Sequence, residues 1–205
     1  MRRLIHAAAA GALLIAVSTQ PARGQQVTAG TTDFHHATTL GVVGGIAVDQ
    51  SGNGGALGGS VGWQLTPGAS LAGSAIWMHP GPGTNGFAML LNVGMNTRTG
   101  WLQPGIYAGG GVYRVTFDML TASPPSFYGK RLQGSALPAS TTFNDPAVTL
   151  GANLRISLTR HTSIQPAVEA LVVLDGGDAY VLTTATVSLV YRFEHHPVTP
   201  VVRGR

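Results

Sequence analysis

From Thr38 to Phe193 the chain alternates apolar residues with small or polar ones at a period of two. Side chains two apart share a face of a β-strand, so this pattern predicts strands with one apolar face. The last segment is the cleanest. Ala185, Val187, Leu189, Tyr191 and Phe193 form one set, and Thr186, Ser188, Val190 and Arg192 form the other. Strands are expected over 38–49, 56–66, 71–78, 86–96, 101–117, 147–158 and 163–174, with an eighth ending at Phe193. In the fourth, Phe87, Met89, Leu91, Val93 and Met95 oppose Asn92, Gly94 and Asn96. In the sixth, Leu150, Ala152, Leu154 and Ile156 oppose Thr149, Gly151, Asn153 and Arg155. The fifth contains "GIYAGGGVYRV", which does not give every residue a side, and a bulge at Gly109–Gly111 is expected there.

Turn signals separate these segments: "QSGNGG" (50–55), "PGAS" (67–70), "HPGPGTN" (79–85), "TRTG" (97–100), "TRHT" (159–162) and "DGGDA" (175–179). The connection 118–146 is longer and carries Pro124, Pro125 and Pro138. Short connections follow strands two, four and six, and longer ones follow strands one, three, five and seven. That alternation fits an outer-membrane barrel, with short turns on the periplasmic side and longer loops outside. A tilted membrane strand needs about 9–11 residues, which most of these segments supply. The expected fold is all-β, an eight-stranded antiparallel up-and-down transmembrane β-barrel with strand eight closing on strand one.

Composition decides which side the apolar face takes. A soluble lipocalin-like barrel in the periplasm would also alternate, with its apolar face inward and a binding core. Its outer face would then carry Lys, Glu and Asp. Here the non-apolar face carries Gly, Ser, Thr, Asn and Gln, and from Gln50 to Thr97 there is no Asp, Glu, Lys or Arg at all. Charged residues are 10% of the chain, against about 25% in ordinary soluble domains. Small polar side chains suit the narrow interior of an eight-stranded barrel, so the apolar face is assigned to lipid.

The first 24 residues, "MRRLIHAAAAGALLIAVSTQPARG", read as a signal peptide, with Arg2 and Arg3 ahead of the apolar run Leu4–Val17. That run is too short to span a bilayer as a helix. Removing the leader takes away Arg2, Arg3 and Arg23 and leaves 9 basic and 8 acidic residues from the 12 and 8 of the whole chain. The apparent basicity is therefore mostly an export signal, and no nucleic-acid partner is expected. There is no cysteine, so no disulfide holds the exported chain. The expected organisation is a leader (1–24), an N-terminal segment (25–37), the barrel (38–193) and a periplasmic tail (194–205).

The residues that could carry chemistry are few. Arg114, Arg155, Glu169 and Arg192 are expected inside the barrel as a structural charge network, since buried charges must pair or stay wet. Trp63, Trp101, Tyr191 and Phe193 fall beside the proposed periplasmic turns. Trp77, Phe87, Phe117 and Tyr180 fall beside the outer loops. Together they make two aromatic girdles of the kind bilayer interfaces favour. The loop 118–146, with Phe127, Tyr128, Lys130 and Arg131 in "SPPSFYGKRL", is the candidate site for an extracellular partner. His161, Ser163 and Glu169 raise the alternative of a lipid A-modifying hydrolase. The pairs His35–His36 and His195–His196, with Asp33 and Glu194, could gather at one rim and bind a divalent metal, against the plainer reading of solvated termini. No cofactor fingerprint is present.

The chain resembles the eight-stranded outer-membrane barrels of the OmpA transmembrane domain, OmpX and opacity-protein type. The resemblance covers 38–193 and rests on the leader, the eight strands, the hairpin "GANLRISLTRHTSIQPAVEAL" and the final "VSLVYRF". It implies outer-membrane lipid as surroundings. It also implies a terminal aromatic, matched by Tyr191 and Phe193, that the barrel-assembly machinery reads, although here a polar tail follows. The implied role is structural or surface interaction through the loops, with a narrow channel as the alternative.

Overall fold

The structure is a computed structural model and describes residues 37–50, 52–66, 68–97, 100–132, 138–175 and 178–193. It contains strands β1 (Thr38–Val48), β2 (Asn53–Thr66), β3 (Ala69–Gly81), β4 (Thr84–Asn96), β5 (Leu102–Asp118), β6 (Ser140–Ser157), β7 (Thr162–Asp175) and β8 (Asp178–Phe193). One short helix, α1 (Ser126–Leu132), lies in the β5–β6 connection. Each strand pairs antiparallel with its sequence neighbours, and β8 pairs with β1 from Thr38↔Phe193 to Val48↔Thr183, so the sheet closes. Closure leaves no unpaired edge, which a strand protein needs in lipid. The leader, the His pairs with Asp33 and Glu194, and the tail lie outside the described residues.

The register links the outer faces of all eight strands. Leu102 pairs with Ile156, then Ile164, Leu189, Val42, Gly59, Ala75, Met89 and finally Val112, back on β5. One circuit thus climbs 112 − 102 = 10 residues. This stagger inclines the strands by about 40° to the barrel axis. Every residue on that circuit is apolar or glycine. Leu91, Val93, Met95, Ile106, Leu150, Val168 and Val187 are likewise exposed on the outside. Their partners in the alternation point into the lumen.

Several boundaries differ from the sequence reading. β6 begins at Ser140, seven residues ahead of the expected Ala147, and β2 begins at Asn53 inside the expected glycine turn. β3 continues through His79–Gly81, with a register shift between Met78 and Gly81 and a turn at Pro82–Gly83, where Gly83 has φ +66°. Gly54 and Gly55, read as turn signals, are ladder residues. Gly54 pairs with Ala47, and a Cβ on it would strike the carbonyl of His79. Cross-strand pairing overrode local turn preference. Consequently three of the four connections at this end are short (49–52, 82–83 and 176–177), and only 119–139 is long. The expected bulge at Gly109–Gly111 is absent, because β5 pairs without a break on both sides. Tyr107, Gly109, Gly111, Tyr113, Val115 and Phe117 face inward, and Ile106, Ala108, Gly110, Val112 and Arg114 face outward.

Candidate functional site

The candidate site is the lumen, which has two unlike halves. The upper half lies toward the long β5–β6 connection and the lower half toward the chain termini. The change takes a single inward step on three strands: Asn92 to Leu90 on β4, Glu169 to Leu171 on β7 and Thr184 to Leu182 on β8.

The upper half is a hydrophobic core. Ile76, Met78, Leu90, Tyr113, Val115, Phe117, Leu171, Val173, Tyr180 and Leu182 are buried together. Phe117 and Tyr180 therefore sit inside the barrel and not in an outer girdle. The cause is parity: Phe117 shares a face with Tyr113 and Val115, and Tyr180 with Leu182 and Thr184. The core is completed from above by α1. Pro124 and Pro125 lead into the helix, and the Pro125 carbonyl accepts from the amides of Tyr128 and Gly129. This turn drops Phe127 and Tyr128 into the barrel mouth. Tyr128 packs 5.1 Å from Phe117, 5.1 Å from Phe143 and 5.6 Å from Tyr180, centroid to centroid, and Phe127 stacks on Tyr180 at 5.9 Å. Burial pushes the Tyr128 phenol well above its ordinary pKa, so it stays neutral. Phe127 and Tyr128 are thus plug residues and are not presented to a partner, because an aromatic pair gains more in a closed apolar mouth than in water.

Ion pairs fasten the helix to the rim. Arg131 donates to Asp145 at 2.8 Å, approaches Asp175 at 3.3 Å and lies 4.5 Å over the Phe143 ring. Burial works against the Arg131 charge, but the Asp145 hydrogen bond and the two carboxylates outweigh it and raise its pKa further. Asp145 is buried, so this pair carries structural weight. Lys130 pairs with Asp178 at 2.8 Å with both side chains well exposed, a weak contact by comparison. The Tyr180 hydroxyl donates to Asp49 on the β1–β2 turn.

The lower half is a polar vestibule of about 150 Å³, lined by Ser60, Gln64, Ser74, Asn92, Asn96, Asn153, Arg155, Gln165, Glu169 and Thr184 among others. The Asn96 amide donates to Asn153 at 2.8 Å. The Tyr107 hydroxyl faces the Glu169 carboxylate within hydrogen-bonding reach across Gly151, whose missing side chain makes room for the ring. Gly86 makes the same room for Tyr113.

The expected four-residue charge network is not formed as such. Arg155 lines the vestibule beside Arg192, while Glu169 is engaged by Tyr107. Arg114 is not in the lumen at all. It is exposed on the outer face of β5, in register with Phe87 on β4 and Asn144 on β6. The suggested catalytic trio is not assembled either. His161 stacks against the outward Tyr191 at 6.0 Å, whereas Ser163 points inward on β7. Trp63, Trp77, Phe87, Trp101, Tyr191 and Phe193 are exposed on the outer surface.

Sequence reasoning missed Asp49, Asp145, Asp175 and Tyr113. Tyr113 was within reach, because it falls on the inward parity of β5. The acidic residues were not, since only folding brings β1, β6 and β7 to one rim around α1.

Searches against protein-family models and against curated sequences return no match. Solved structures do match. The N-terminal β-barrel domain of Pseudomonas aeruginosa OprF superposes with a TM-score of 0.56 at 16% identity, covering 78% of this chain and 98% of that one. Neisserial surface protein A superposes with a TM-score of 0.56 at 10% identity, covering 77% and 97%. At such identities the likeness speaks for architecture: the chain has the fold of the small eight-stranded outer-membrane barrels.

Proposed function

We propose that the protein is an integral outer-membrane barrel of a Gram-negative-type bacterium, with a structural or surface-interaction role and no through-conducting pore. One observation carries this reading: the wall is apolar on its outer side while the upper lumen is packed solid. Lipid suits the outer side, and the core with its α1 plug obstructs any continuous polar path. The long connection and α1 would face the exterior, and the termini the periplasm. An export leader over residues 1–24 and assembly guided by the aromatic end of β8 belong to the same reading. The surface offered outside is then the compact cap formed by α1 and the strand rims, with Lys130 at its edge.

The test is expression with the native leader in a Gram-negative host. Isolated outer membranes should contain a band that resists SDS until boiled. The purified barrel in a planar bilayer should show no steady single-channel current. A protein recovered in the soluble periplasm would overturn the location, and a stable conductance would overturn the closed lumen in favour of a narrow channel.

A further inference from the structure

The outer surface of the barrel has a sharp upper limit. On β5 the outward residues Leu102, Pro104, Ile106, Ala108, Gly110 and Val112 carry no polar side chain. On β6 the same holds from Ile156 up to Pro146. Ten residues at about 3.4 Å each, inclined by about 40°, rise roughly 26 Å along the axis. That matches the apolar band of about 25 Å expected of a membrane barrel. The next outward positions are Arg114 and Asn144, followed by Thr116 and Thr142, whose hydroxyls hydrogen-bond at 2.9 Å. Arg114 is thus the first residue above the band on β5.

It is also alone. Among the described residues, Arg114 is the single charged side chain on the outward faces of the strands below the rim residues of β5 and β8. The ion pairs of the upper rim involve Lys130, Arg131 and their aspartates, none of which meets Arg114. Phe87 flanks it on β4, and Trp77 follows on β3. A permanent cation with five donors at the boundary of an apolar belt, beside two interfacial aromatics and with no counter-ion among the described residues, needs a partner from its surroundings. Guanidinium matches phosphate oxygens in geometry and charge.

We propose that Arg114, supported by Asn144, Phe87 and Trp77, binds the phosphate of an anionic lipid in the leaflet at the capped end of the barrel. The proposal rests on the membrane reading above. The headgroup phosphate sits at the Arg114 level, and the acyl chains run down the belt over Val112 and Gly110.

The test uses the folded, detergent-solubilised barrel and native mass spectrometry. The protein is incubated with equal amounts of lipid A and its dephosphorylated form, and the retained lipid is counted. Each variant is first shown to insert into vesicles and to shift on boiling. The native chain should prefer the phosphorylated lipid by about fivefold, the scale of one basic residue at an anionic surface, and less at high salt. Arg114→Gln should lose the preference and Arg114→Lys should keep part of it. Arg155→Gln, which removes the same charge from the vestibule, should bind like the native chain. Free inorganic phosphate should not compete. An unchanged preference in Arg114→Gln, or competition by free phosphate, would overturn the lipid site while leaving the barrel in the membrane. Failure of the native chain to insert would overturn the membrane reading itself.

Discussion

The two halves of the lumen are built from the same eight strands on the same parity, yet they are held together differently. Above the Asn92–Glu169–Thr184 step the interior is sealed by side chains from all eight strands and by a helix from outside the sheet. Below it the interior is a polar space with an amide pair, a tyrosine–carboxylate contact and Arg155. The upper half gains from burial of apolar area and loses heavily when a piece is removed. The lower half is polar, buries less apolar area and is expected to lose less. A barrel of this size can therefore be closed at one end by packing while its other end remains a vestibule, with no change in strand number or stagger.

The largest effect expected from breaking this contrast is in the plug. Tyr128→Ala should lower the unfolding free energy in vesicles by about 3–5 kcal/mol, read from urea titration of the heat-shifted band. Combined with Phe127→Ala it should allow current in a planar bilayer. Arg131→Ala comes next, at about 3 kcal/mol, because Asp145 is left buried without its cation. Asp145→Asn in the same background should recover part of that loss. In the lower half, Gly151→Ala should cost about 1–3 kcal/mol, because the added methyl displaces the Tyr107 ring from its place before Glu169. Gly151→Ala combined with Tyr107→Phe should be less than additive. Lys130→Ala should change stability by under about 0.5 kcal/mol, since its pair is exposed. An exposed pair that proved as costly as the plug would erase the distinction.

How legible this was from the sequence depended on parity. The period-two pattern implied the eight strands, the closure and the outward apolar set, because a one-residue slip would reverse every side chain. Arg155, Glu169 and Arg192 fell on the lumen side by the same rule. The errors came where position along the strand was allowed to outrank parity. Phe117 and Tyr180 stand near strand ends, which suggests a girdle, but both share a face with lumen residues. The charge of Arg114 suggests the lumen, but the residue shares a face with Ile106 and Val112. The plug was beyond local reasoning. Nothing in "SPPSFYGKRL" states that its two aromatics turn into the barrel, because their partners Phe117, Phe143 and Tyr180 come from three separate strands. The aspartates that hold Arg131 likewise meet only after closure.

The absence of native cysteine makes the central claim directly measurable on one strand. Single cysteines at Leu182, Val187 and Ser188 of β8 probe the plug, the lipid face and the vestibule in turn. In reconstituted vesicles with the terminus end accessible, a charged water-soluble maleimide should label Ser188→Cys, and a membrane-soluble pyrene maleimide should label Val187→Cys. Leu182→Cys should resist both until the barrel is unfolded. Labelling of Leu182→Cys by the charged reagent at the rate of Ser188→Cys would show one continuous aqueous lumen and contradict the account.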